Sequence, residues 1–193
     1  VVHPVKQQRA AGSTDGPFSS PSFAPGGRMA SDPAHETPSI PLFLHGLDSS
    51  ILGTKAQWFG RHFPRVRLQN YTGDLDERLA QLEAQVAGLE RLVLVGSSFG
   101  GLMAACFALR SPERCRRLVL LAPALNFADF HPPATPIAVP TLVVTGAHDT
   151  VCPPELILPL ARACFTDLTV RLEDDDHMLH RTFPTLDWPH LLT

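Results

Sequence analysis

Two textures of apolar residues alternate along this chain. Short uninterrupted apolar runs stand at Ile40–Leu44 (IPLFL), Leu92–Val95 (LVLV), Leu118–Leu121 (LVLL) and Thr141–Thr145 (TLVVT). Strands covered on both faces have this composition, and parallel sheets need such strands. Arg65–Gln69 (RVRLQ) and Leu168–Leu172 (LTVRL) alternate more and fit outer strands. Between the runs lie helical patterns. Leu75, Leu79, Leu82, Val86 and Leu89 recur every three or four residues, which makes one apolar stripe on a surface helix. Leu102–Leu109 is apolar all round, as a helix buried against a sheet is. Glu155–Phe165 predicts a third helix that contains Pro159. A mid-helix proline costs about 3 kcal/mol, so a kink or a later start is expected there. A short closing helix is expected from about Leu179. Strands alternating with helices imply an α/β fold with a mainly parallel sheet, right-handed crossovers and, here, six strands.

Residues 1–39 break this pattern. They are rich in Pro, Gly and Ser and show neither helical nor strand periodicity. Such a segment buries too little apolar surface to offset its ordering entropy. It is expected to be a disordered leader, with Met29 opening the possibility of a cloning remnant or a misassigned start, and a transit peptide as a weaker option. Residues 40–193 form the expected folded domain. The chain of 193 residues is 44% hydrophobic and 18% charged, with a formal net charge of −3. That composition suits one globular domain and lacks the basic footprint of a nucleic-acid binder. No apolar stretch approaches the roughly 20 residues needed to span a bilayer. Cys106, Cys115, Cys152 and Cys164 include no C-x-x-C pair, so free thiols and a reduced, cytoplasmic setting are expected. No histidine pair suits a helix-borne metal site, and none is expected.

The chemistry is carried by Gly96-Ser97-Ser98-Phe99-Gly100, which fits G-x-S-x-G. It directly follows an apolar strand and opens the apolar helix, the context that makes the motif a nucleophile elbow. The turn is sharp, and side chains at 96 and 100 would meet neighbouring backbone. A serine hydroxyl stays protonated at neutral pH, so Ser98 needs a base, and the base an orienting acid. Downstream, Asp149 follows the strand Thr141–Thr145, and His177 follows the strand Leu168–Leu172. Both are expected at the sheet's carboxyl edge, in the order serine, acid, histidine. Rivals remain: His180 or His148 as base, and Asp129 as acid. Asp174, Asp175 and Asp176 read as a solvated loop, one of which could tune the histidine. An oxyanion needs two preorganised N–H donors. Phe99 supplies one, and Leu47, in the His45-Gly46-Leu47-Asp48 segment after the first strand, the other. If the first strand and Leu92–Val95 are neighbours at a switch in strand order, both donors face one crevice.

Taken in order, HGLDSS, GSSFGG, GAHDTVCP and DDDHML resemble the α/β-hydrolase superfamily over roughly residues 40–190. HGLDSS…KAQWF with GSSFGG is also similar to the small YqiA-like esterases. The resemblance implies a three-layer α/β-hydrolase fold and a Ser98–Asp149–His177 mechanism. It implies a small-molecule ester or thioester substrate and no cofactor. The two leading antiparallel strands of larger members are missing. The short segment from Ala122 to Pro140 leaves no room for a cap domain, so an open site is expected. Leu125, Phe127 and Phe130 are candidates to line an acyl pocket. A perhydrolase or acyltransferase with the same triad is an alternative, as is a catalytically inactive hydrolase fold used for binding. A dehalogenase would need Asp at 98, and a dienelactone hydrolase would favour Cys.

Overall fold

The computed structural model describes residues 38–193. The expected leader lies outside them, save for 38 and 39, which run irregularly into the first strand. The strands are β1 (Ile40–Leu44), β2 (Arg67–Leu68), β3 (Leu92–Ser97), β4 (Cys115–Leu121), β5 (Thr141–Gly146) and β6 (Leu168–Glu173). They form one sheet in the order β2-β1-β3-β4-β5-β6, parallel throughout. The helices are α1 (Thr54–His62), α2 (Leu75–Gln85), α3 (Phe99–Arg110), α4 (Pro154–Cys164) and α5 (Trp188–Leu191).

The apolar runs explain the layering. Alternate residues of a strand point to opposite faces, and here both sets are buried. Leu42, Leu44, Leu92, Leu94, Leu118, Leu120 and Val143 join one core with residues of α2, α3 and α4. Phe43, Val93, Val95, Val119, Leu121 and Val144 join the opposite core with Ala56 and Phe59 of α1 and Trp188 of α5. The result is three layers, as the sequence predicts.

Several elements differ from expectation. α1 has no counterpart in the sequence reading, because Gly53 gives it no side-chain cap and its sequence is mostly polar. α4 starts at Pro154 and runs through Pro159 to Cys164. Pro159 and Glu155 are both exposed, so the Glu155 carbonyl that loses its helical donor is free to bond water. The closing segment is mostly turns, with a 3-10 turn at Phe183–Thr185 and the single turn of α5. The outer strand expected at Arg65–Gln69 pairs over only Arg67–Leu68. Residues 122–140 hold no helix and no ladder strand, consistent with a cap-less domain.

Chain order reverses around β1, which lies between β2 and β3. Ligand crevices of open parallel sheets form beyond the carboxyl ends of the strands at such a reversal. The loop after β1 and the turn after β3 meet there.

Candidate active site

Ser98 sits at the tip of the turn from β3 to α3 with φ 54° and ψ −117°. A non-glycine residue in this region costs of order 1–3 kcal/mol and needs surroundings that hold it. They are present. Ser98 N–H donates to Leu121 O (2.9 Å), and Ser98 O accepts from Gly101 N (2.8 Å) and Ala124 N (3.1 Å). The glycines leave the space that the turn requires. A Cβ on Gly100 would fall 2.5 Å from Leu44 C and 2.8 Å from His45 O, and nearer still to Leu44 O. One on Gly96 would meet Gly100 C at 2.6 Å.

His177 is brought to Ser98 by the loop after β6. Its Nε2 lies 3.0 Å from Ser98 Oγ, and its Nδ1 lies 2.8 Å from Asp149 Oδ2. A carboxylate only accepts, so Nδ1 carries the hydrogen and Nε2 offers its lone pair to the serine. Asp149, in the turn after β5, has a fully buried side chain. Its other oxygen, Oδ1, accepts from Val151 N (2.9 Å) and Cys152 N (2.7 Å). Both carboxylate oxygens are thus spoken for. Asp149, Cys152 and His177 offer ligand atoms within 4.8 Å of one another. Burial, reinforced by Asp149, pushes the Cys152 thiol up to about 12. With both Asp149 oxygens and both His177 ring nitrogens already hydrogen-bonded, the trio is a poor metal cradle.

The loop after β1 closes the other side. Gly46 and Leu47 line a cavity of about 350 Å³ together with Ser98, His177, Lys55, Val151 and Met178. Buried His45 donates from Nδ1 to Gly46 O (2.8 Å) and accepts at Nε2 from Tyr71 N (3.0 Å). With Nε2 accepting, the ring is a neutral scaffold, and burial lowers its basicity. Phe99 N–H is at the first position of α3, where no helical acceptor exists.

The rivals are dispersed. His148 and His180 are exposed, the former paired with Asp174 at 2.9 Å. Asp129 lines a separate cavity of about 520 Å³. The expected acyl-pocket residues do not line the cavity at Ser98. Leu125 is fully buried in the core, while Phe127 and Phe130 line that second cavity. Phe127 instead packs edge-on against Phe99, with ring centroids 5.5 Å apart.

Three residues that the sequence reading did not single out support the site. Asp175 is buried, not solvated. Burial pushes its pKa up, but hydrogen bonds from Thr182, Asp176 and Arg181 outweigh this and hold it below the usual value. Lys55 of α1 is buried and donates to Met178 O (2.6 Å), the residue after His177. Burial pulls its pKa down to about 8 against the pull of Asp175 and Asp176. Arg78 of α2 is buried against the Gly46–Leu47 loop.

A family model described as the alpha/beta hydrolase fold matches residues 48–135, a stretch that includes Ser98. Residues of this chain are 39% identical over 64 positions to homoserine O-acetyltransferase of Thermus thermophilus, covering 33% of this chain and 16% of that protein. Carboxylesterase YbfK of Bacillus subtilis is also 39% identical over 64 residues, covering 33% of this chain and 22% of that one. The match therefore spans under a quarter of the length of these curated relatives. A solved structure of a YdeN-like hydrolase from Pectobacterium atrosepticum superposes with a TM-score of 0.63 at 23% identity, over 80% of this chain and 87% of that one. With the sheet order and layers above, the chain has the α/β-hydrolase fold. No helix among the described residues is long and apolar enough to cross a membrane.

Proposed function

We propose that this protein is a serine hydrolase that cleaves carboxylic esters or thioesters through an acyl-enzyme on Ser98. The observation that carries this is the pair of hydrogen bonds at His177, which donates from Nδ1 to Asp149 Oδ2 and accepts at Nε2 from Ser98 Oγ. In the first half-reaction Ser98 Oγ bonds to the acyl carbon while His177 Nε2 takes its proton. The carbonyl oxygen becomes an oxyanion, received by the Leu47 and Phe99 N–H groups. The tetrahedral intermediate then breaks its bond to the alcohol or thiol, which leaves with the proton from His177. In the second half-reaction a water gives its proton to His177 and attacks the acyl-serine. Collapse frees the acid and returns the proton to Oγ. Asp149 keeps Nδ1–H facing itself and stabilises the imidazolium.

The substrate class follows from the rim. Leu47, Val151 and Met178 are about half exposed yet line the cavity. An apolar acyl or alcohol group would cover them. Without a cap the crevice excludes little, which fits a broad range of small esters in the manner of the YqiA-like esterases, acting in the cytoplasm as a domain of residues 40–193. The local likeness to an acetyltransferase supports a second reading, acyl transfer to an alcohol.

A panel of p-nitrophenyl esters and acyl-CoA thioesters of graded chain length tests both. Ser98-dependent release of product, abolished in Ser98→Ala, is expected. Partition of the acyl group to an added primary alcohol in preference to water would favour the transferase. A folded wild-type protein that turns over no member of the panel would favour a binding role.

A further inference from the structure

Arg78 is a strange residue to bury. It is 4% exposed, on the first turns of α2, and its guanidinium makes no salt bridge among the described residues, with only the charge of Asp48 acting on it from further off. A buried cation without a carboxylate in direct contact is costly. The guanidinium spends its donors on backbone instead. Nε donates to Gly73 O (3.0 Å), Nη2 to Leu47 O (3.0 Å) and, over a longer 3.5 Å, Nη1 to Gly46 O. Its Cζ also lies 5.4 Å from the centre of the Phe99 ring. One planar group thus touches both residues whose N–H groups would face the oxyanion.

The contact to Gly46 O has a directional consequence. In a trans peptide the carbonyl oxygen of one residue and the N–H of the next point opposite ways. Gly46 O is held by His45 Nδ1 (2.8 Å), Ser49 N (3.3 Å) and Arg78. Fixing this oxygen fixes the Leu47 N–H on the other side of the same plane. The bond to Leu47 O fixes the following peptide as well. The ring contact ties the loop to the start of α3, where the second donor sits.

We propose that Arg78 is a positioning residue of the oxyanion hole, locking the Leu47 loop and the Phe99 turn into one unit. This rests on the serine-hydrolase reading. A residue acting this way matters more to the transition state than to bound substrate.

The test compares wild type with Arg78→Met, which keeps an apolar stem, and Arg78→Lys, which keeps the charge but reaches fewer carbonyls. Two quantities are read for each: kcat and KM on a p-nitrophenyl ester, and affinities for a trifluoromethyl ketone and its unreactive methyl ketone. Loss of one oxyanion donor costs about 10²–10³ in rate, so loosening two is expected to cost Arg78→Met on the order of 10- to 100-fold in kcat with KM changed less than about 3-fold. The trifluoromethyl ketone should weaken by the same factor and the methyl ketone should not. Arg78→Lys should fall between. Wild-type kcat in folded Arg78→Met, or equal weakening of both ketones, overturns the proposal. Should Arg78→Met not fold, Arg78→Lys decides, and unchanged kcat there overturns it. A wild-type protein with no esterase activity would instead remove the reading beneath it, an outcome distinct from an active wild type with indifferent variants.

Discussion

Asp149→Asn changes one oxygen for an NH₂ group, and the structure dictates which one. If the NH₂ took the place of Oδ1, it would face the N–H groups of Val151 and Cys152, now 2.9 and 2.7 Å away. Both donors would lose their acceptor, the buried one of Cys152 at about 1–3 kcal/mol and the part-buried one of Val151 at less. The amide therefore turns its oxygen to these two and its NH₂ to His177 Nδ1. A donor there forces Nδ1 to accept and moves the imidazole hydrogen to Nε2. Nε2 then donates to Ser98 Oγ and has no lone pair for its proton. The rate should fall by roughly 10⁴, the loss seen when the orienting aspartate of a known Ser-His-Asp triad is amidated. That corresponds to about 5.5 kcal/mol of barrier. Stability should change by less than about 1 kcal/mol, since the buried bonds survive. Burst and steady-state kinetics with a p-nitrophenyl ester, alongside denaturant unfolding, measure both. A variant that folds like wild type and keeps its rate within tenfold would refute the tautomer argument.

Gly100→Ala should cost about 1–3 kcal/mol or more in unfolding free energy, because the new methyl overlaps the backbone of Leu44 and His45. A shift of α3 that relieves the overlap misplaces Phe99 N–H, so activity should drop by about 10²-fold; wild-type unfolding and rate would refute this. Lys55 has its pKa pulled from 10.5 to about 8 in the folded state. Below pH 8 both states hold the proton; between there and 10.5 the unfolded chain holds more, so stability from this group rises with pH. Measured at pH 7.5 and 10, the stability of wild type relative to Lys55→Met should shift in favour of wild type by on the order of 2–3 kcal/mol. Taking the difference cancels the opposite slope of the buried thiols, and a flat difference would contradict the prediction. Trp188→Ala should lose about 3–5 kcal/mol. Trp188 is buried against Phe59 at 4.8 Å and donates to Phe183 O at 2.8 Å. A loss below about 1 kcal/mol by denaturant titration would show that this cluster relaxes to fill the gap.

How far the sequence could be read depended on whether a residue's fate was local. β1, β3, β4 and β5 were legible because strands buried on both faces have no polar positions to hide. The elbow at Ser98 was legible because strand, turn and helix are contiguous. α1 was not, because only Ala56, Phe59 and the stem of Lys55 are buried and nothing caps it. Asp175 reads as one of three equivalent acids. Only the return of residues 181 and 182 onto it singles it out. Arg78 adjoins the apolar stripe of α2 and reads as surface; it is buried because the loop after β1, over 30 residues earlier, folds onto it. Phe127 and Phe130 follow β4 closely, but the turns after Ala122 place them on a cavity that Ser98 does not line, with Phe127 edge-on to Phe99.

The most direct measurement is covalent trapping of the nucleophile. The folded protein is incubated with a fluorophosphonate, and the adduct is counted by intact mass and located by peptide mapping. One adduct per chain is expected, on the peptide carrying Ser98, absent in Ser98→Ala and greatly slowed in His177→Ala. A folded wild-type protein that takes up no probe, or labelling that persists in Ser98→Ala, would contradict the relay.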